Sequence, residues 1–147
     1  MNSRFMDRAI ALAKEAGQMG EIPVGAVIVK DGEIIAEGKN FRESAQNALG
    51  HAEIDAINAA CKKLGSWRLD GCTLSVTLEP CVMCTGAIIN ARIPEVVFGA
   101  YDLDRGCMDS VINLCDLKLG IKPQIYGGIR EDECKALLSD FFKAVRE

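Results

Sequence analysis

Two short segments carry side chains that could do chemistry together, His51-Ala52-Glu53 and Pro80-Cys81-Val82-Met83-Cys84. On a helix, Cys81 and Cys84 are three residues apart and share one face. With His51 they make a donor set of two sulfurs and one imidazole nitrogen, which suits zinc. Three protein ligands leave the fourth tetrahedral position open. That is the arrangement of a catalytic zinc, one per chain, with a bound water or hydroxide as its remaining ligand. A water polarised in this way still needs a group to take its proton and hand it on, and Glu53, in the first turn beyond His51, is placed to do so. The chain has one histidine, so a second histidine is not available as base and the role falls to the carboxylate.

Other chemistry can be built from the same cysteines. A lone Cys-x-x-Cys can be a redox pair, and a structural Cys3His zinc site could draw its last thiolate from Cys61, Cys72, Cys107, Cys115 or Cys134. The flanking residues lack a thioredoxin-like setting, and neither reading accounts for Glu53 beside His51. Cys61, Cys72, Cys115 and Cys134 fall in apolar surroundings and read as small core residues. Cys107 reads either as a pocket residue or as a plain thiol.

The elements that must hold these segments follow closely on one another. Phe5, Met6, Ala9, Ile10, Ala13 and Ala16 recur at three- and four-residue spacing, which predicts an amphipathic helix over 4–18 stopped by glycine. The runs 24–29 and 34–38 flank Asp31-Gly32, a tight-hairpin signal. The polar segment 38–50 reads as a loop delivering His51 to the N-terminus of a helix that closes at Gly65. A strand over 73–78 ends at Glu79-Pro80, a helix spans 81–92, and a strand follows at 95–100. Both metal-ligand segments thus sit at helix starts, where the helix dipole favours thiolate over thiol. Residues 108–116 suggest a short helix, 124–126 a last strand, and 131–146 a helix with an apolar stripe of Cys134, Leu137, Leu138, Phe141, Phe142 and Val145. Helices between strands after an initial hairpin imply an α/β sandwich with a mixed sheet.

Composition sets the frame. At 147 residues, 49% hydrophobic and 26% charged, the chain reads as a single domain over 1–147 with a full core. The opening MNSRFMDRAI has no secretory apolar core, and no apolar run approaches the roughly 20 residues of a membrane helix, so the expectation is a cytoplasmic protein with reduced thiols and no membrane partner. A net charge of −4 argues against indiscriminate nucleic-acid binding while leaving room for a local basic patch.

The chain resembles the bacterial tRNA-specific adenosine deaminases (the TadA family), within the cytidine-deaminase-like zinc deaminases. The His-x-Glu and Pro-Cys-x-x-Cys signature is common to that whole fold. The branch is carried by EIPVGAVIV (21–29), GKN (38–40), HAEIDAI (51–57), LGSWRL (64–69), TLEPCVMCTGAII (77–89), RIPEVVFGAYD (92–102) and ECKALLSDFF (133–142). The resemblance implies a three-layer α/β/α sandwich with a five-stranded mixed sheet, zinc held by His51, Cys81 and Cys84, Glu53 as proton shuttle, and a homodimer with active sites near the subunit interface. It implies hydrolytic deamination, with a wobble adenosine in a tRNA anticodon loop as substrate and inosine and ammonia as products. Asn40 matches a residue that hydrogen-bonds the base, Ile22 an apolar pocket wall, and the Ala52 N–H a group facing substrate. Asp102 matches a position near the nucleotide backbone, and Phe142 an aromatic that meets the RNA. Asn40 also fits a turn, and Phe142 also fits core packing. Trp67, in LGSWRL, is open to core, interface or surface roles.

The chain departs from that family where tRNA recognition concentrates. Residues 103–111 read LDRGCMDSV, so Asp104 takes a usually basic position and Asp109 replaces a glycine; Gly120-Ile121 replaces Asn-His. These changes remove cationic or polar contacts to phosphate and base. Asp109 could instead read the amine or ring N–H of a free base, or cap a helix over 110–116. Deamination of a free nucleobase or nucleoside, such as guanine, cytosine or a modified purine, is the alternative function. A non-catalytic protein that keeps the metal as an RNA-binding scaffold is a third, with the intact Glu53 against it.

Overall fold

The computed structural model describes residues 4–146. Helix α1 (Arg4–Gln18) buries Met6, Ala9, Ile10, Leu12, Ala13 and Ala16, the face that its spacing predicts. Strands β1 (Gly25–Lys30) and β2 (Glu33–Lys39) form an antiparallel hairpin. Its turn residues Asp31 and Gly32 both have positive φ, 50° and 78°, as a two-residue turn matched to the strand twist requires. On its other side β1 pairs antiparallel with β3 (Cys72–Leu78), which is followed by the parallel partners β4 (Glu95–Ala100) and β5 (Gln124–Tyr126). The sheet order is β2-β1-β3-β4-β5, the five-stranded mixed sheet that the resemblance implied.

Alternation along the strands feeds two layers. Ala26, Ile28, Leu74, Val76, Val96 and Phe98 face a core closed by α3 (Ala52–Leu64) and α4 (Val82–Asn90). On the opposite face Val27 and Val29 pack with Leu12 of α1, while Met6 and Ala9 meet Val97, Ala100 and Cys134 of α5 (Glu131–Arg146). Along α5, Cys134 is the buried member of the apolar stripe; Phe142 and Val145 are exposed.

Three local expectations change. Within 38–50 the chain makes a single helical turn, α2 (Arg42–Ala45), because the Glu43 and Ser44 N–H groups donate to the Glu21 carboxylate at 3.0 and 2.6 Å. No helix spans 108–116. The N–H groups of Met108, Asp109 and Ser110 are drawn to Glu79 instead, so Asp109 caps nothing. A 3-10 turn at Leu114–Asp116 starts from Asn113, whose side chain accepts the Cys115 N–H. All seven cysteines are free, with Cys72, Cys115 and Cys134 buried and Cys61 half-buried. Trp67 is 58% exposed, and the Arg68 and Arg92 guanidinium groups lie 5.3 and 5.6 Å from its ring centroid. Among the described residues no helix is long and apolar enough to cross a membrane.

Candidate active site

The site forms where the N-termini of α3 and α4 converge. His51 and Cys81 are the residues immediately before these helices, both extended. The first turn of α3 is held from outside. A Cβ on Gly38 would lie 2.2 Å from the Ala52 carbonyl oxygen, so glycine there lets β2 run directly against α3. Two residues on, Asn40 Oδ1 accepts the Ala52 N–H at 2.9 Å while its Nδ2 donates to the Ile22 carbonyl at 2.9 Å. Asn40 thus caps the helix in place of the His51 side chain, which makes no capping bond. The imidazole is left to face the thiols.

His51 Nδ1 lies 3.6 Å from Cys81 Sγ and 3.5 Å from Cys84 Sγ. Zinc–sulfur bonds of about 2.3 Å and a zinc–nitrogen bond of about 2.0–2.1 Å at a tetrahedral angle set nitrogen and sulfur about 3.5 Å apart. The three donors therefore already have the spacing of a tetrahedral zinc site, and all their ligand atoms fall within 4.8 Å of one another. The Cys84 thiol and then the His51 ring hold Cys81 down to about 4 against the upward push of burial, whereas the same contact with Cys81 and burial push Cys84 up. One thiolate and one protonated sulfur side by side are what a divalent cation would convert into two thiolates.

Glu53, 4% exposed, stands at the edge of this triangle. Burial is the main cause that pushes its carboxyl up to about 7, against the downward pull of its own backbone N–H and of His51. Such a group can hold and release a proton near neutral pH.

The ligands open into a cavity of about 560 Å³, with Ile22, Val24, Leu78, Val82 and Val111 among its apolar walls. Its two lips are each organised by a buried carboxylate. Glu21 holds the Arg42–Ser44 turn on one side, and Glu79 holds residues 102–110 on the other. Arg42, Asp102, Asp104 and Arg105 face the cavity from these lips.

The residues singled out from sequence are distributed unevenly. Ile22, Asn40, His51, Glu53, Cys81 and Asp102 line the cavity, with Cys84 buried behind them. Ala52 is fully buried and its N–H is taken by Asn40. Asp102 Oδ1 accepts the N–H groups of Asp104 and Arg105, shaping the lip. Asp109 is exposed and outside the cavity lining, and Phe142 sits on α5 with its ring edge-on to Phe141. Cys107 is buried and does line the cavity. Glu21 and Glu79 escape a reading by residue type, since a single acidic residue in a strand end or loop carries no signal of main-chain partners.

A family model described as MafB19-like deaminase matches residues 1–146. The chain belongs to this deaminase family. Within it, the deaminase is 46% identical over 144 residues to the tRNA-specific adenosine deaminase of Bacillus subtilis (strain 168), across 97% of this chain and 89% of the relative. Its fold superimposes with a TM-score of 0.91 and 39% identity on a structure solved in studies of A-to-I editing by tRNA:A34 deaminases at the wobble position of transfer RNA, covering 93% of this chain and all of that one. A guanine deaminase from Bacillus subtilis aligns with a TM-score of 0.66 and 40% identity over 76% of this chain and 83% of its own. These likenesses place the deaminase in the tRNA-specific adenosine deaminase branch.

Proposed function

We propose that this single-domain enzyme, acting in the cytoplasm, converts the wobble adenosine of a tRNA anticodon loop to inosine and releases ammonia, with one zinc per chain. The observation that carries the reading is the tetrahedrally spaced His51, Cys81 and Cys84 donors beside a buried Glu53 in an open cavity, in a chain so similar to tRNA adenosine deaminases. Zinc held by these three residues supplies a Lewis acid that makes a water acidic enough to be deprotonated near neutral pH. Glu53 would take that proton and pass it to the ring nitrogen as the water oxygen bonds to the ring carbon, then carry the proton left on that oxygen to the amine, so that ammonia leaves as the ring carbonyl forms. Ile22, Val24 and Leu78 give the base an apolar slot. Asn40 fixes the wall that carries Ile22 and presents its amide to the base edge. A loop nucleotide enters such a slot at low cost because it is already unpaired.

Arg42 and Arg105, exposed on opposite lips, fit the phosphates flanking a splayed nucleotide. Phe142 is proposed to meet the RNA from α5, beside the Gly17–Pro23 segment that Phe141 approaches, and Asp102 to lie near the backbone next to the target. We also infer that two chains pair. Helix α4 is mostly apolar, and its exposed face carries Val82 and Gly86 before Asn90 at its end, a pattern that suits a helix covered by a partner.

A second reading, deamination of a free base such as guanine, is favoured by the acidic Asp104 on the lip, while Asp109 lies outside the cavity lining and lends it nothing. Zinc-loaded protein offered an anticodon stem-loop with the wobble adenosine, beside free bases and nucleosides, separates the two. Inosine formed in the stem-loop supports the first; turnover confined to free compounds overturns it.

A further inference from the structure

Glu79 takes no part in the chemistry described above, yet it is among the most completely engaged side chains of the molecule. It is 2% exposed and directly follows β3. Its Oε1 accepts the Asp102 N–H at 3.1 Å and the Ser110 hydroxyl, and its Oε2 accepts the N–H groups of Met108, Asp109 and Ser110 at 3.1, 2.8 and 2.9 Å. The segment is wrapped so tightly that a Cβ on Gly106 would fall 2.3 Å from the carboxyl carbon of Glu79. The next residue continues the attachment, the Pro80 carbonyl accepting the Cys107 N–H at 2.9 Å. Cys81 follows directly.

We propose that Glu79 is the positioning residue of the substrate lip, fastening residues 102–110 to the segment that carries the metal ligands and thereby setting substrate affinity. Main-chain N–H groups arranged around one anion form a nest, whose shape is set by the charge at its centre. The lip side chains that face the cavity, Asp102, Asp104, Arg105 and Cys107, have their direction fixed by this nest, and no strand or α-helix crosses the segment to fix it otherwise. Since Glu79 and Cys81 flank a single proline, the lip is anchored two residues from a metal ligand, and a nucleotide pressed against the lip is registered on the metal centre.

The proposal rests on the deaminase reading, and the test separates the two. Glu79→Gln puts an NH2 group where the nest needs an acceptor. In the zinc-loaded, substrate-free variant, amide exchange at 102–110 is expected to accelerate about tenfold or more while exchange in α3 and α4 is unchanged. With the stem-loop, KM is expected to rise about tenfold with kcat within about threefold of the parent and zinc still bound at one per chain. Ser110→Ala, which removes one donor, should show the same changes at smaller size and carries the test if Glu79→Gln does not fold. Unchanged exchange at 102–110, or a fall in kcat that tracks lost zinc with KM unaltered, overturns the positioning role. The exchange measurement needs no substrate, so a failure of the substrate assignment leaves it standing.

Discussion

Asn40 Oδ1 accepts the Ala52 N–H at 2.9 Å across twelve residues of chain, so the first turn of α3 is capped by the residue that ends the approach from β2. Because the same amide donates to the Ile22 carbonyl, its orientation is fixed from both ends. Asn40→Ala leaves the buried Ala52 N–H without its acceptor, while the Ile22 carbonyl keeps only the Val24 N–H. A loss of about 1–3 kcal/mol in denaturant stability is expected, together with a rise in KM as the Ile22 wall loosens. Stability within error of the parent would show that water replaces both contacts.

Glu53 and His51 should separate cleanly. Glu53→Ala is expected to keep one zinc per chain by elemental analysis and to lose about 10²–10⁴-fold in ammonia release, the usual worth of a positioned acid–base group. His51→Ala removes one of three ligands and should lose the metal. Chelation of the parent should lower its thermal midpoint, because a cation that binds the folded state alone stabilises it. Unaltered zinc content in His51→Ala would overturn the ligand assignment.

Acid should loosen both lips. Burial pushes the Glu21 and Glu79 carboxyls up, but their main-chain and serine donors outweigh it and hold both below the ordinary 4.5. The unfolded chain therefore takes up these protons first as pH falls, and protonation favours unfolding. Their contribution is complete above about 4.5 and is lost as pH drops below it through the folded values. Urea midpoints between pH 7 and pH 3 should fall less steeply in Glu79→Gln than in the parent; parallel curves would remove Glu79 from the linkage.

Pairing through α4 can be tested at Gly86, where an added Cβ meets nothing within 4 Å. Gly86→Arg should leave the single chain folded and somewhat more helix-prone. If α4 is the shared face, the variant elutes as a monomer where the parent elutes as a dimer. A dimeric variant would move the interface elsewhere.

The candidate set that the structure brings together was legible because its residue types are scarce and their spacing is local: His51 with Glu53, Cys81 with Cys84. The hairpin was legible from Asp31-Gly32, and α1 and α3 from apolar periodicity with glycine stops. What stayed hidden depends on partners distant in sequence. The one-turn α2 exists because Glu21, more than twenty residues earlier, collects its N–H groups. Residues 108–116 have the apolar spacing of a helix, yet Glu79 claims the N–H groups that would begin it. Asn40 was singled out from sequence and lines the cavity, while its capping of α3 depends on Gly38 bringing β2 against the helix.

The donors of the metal site lie on either side of β3, His51 and Cys84 being 33 residues apart. Between them runs a strand that must already be seated between β1 and β4 before imidazole and thiol can meet. A cation bound there ties off a long loop, and the entropy it removes grows only slowly with loop length, so assembly of the sheet rather than local chain closure governs when the site exists. A cation held there would therefore be taken up only once the sheet has formed, and weakening of the central strands would show itself as weaker metal retention.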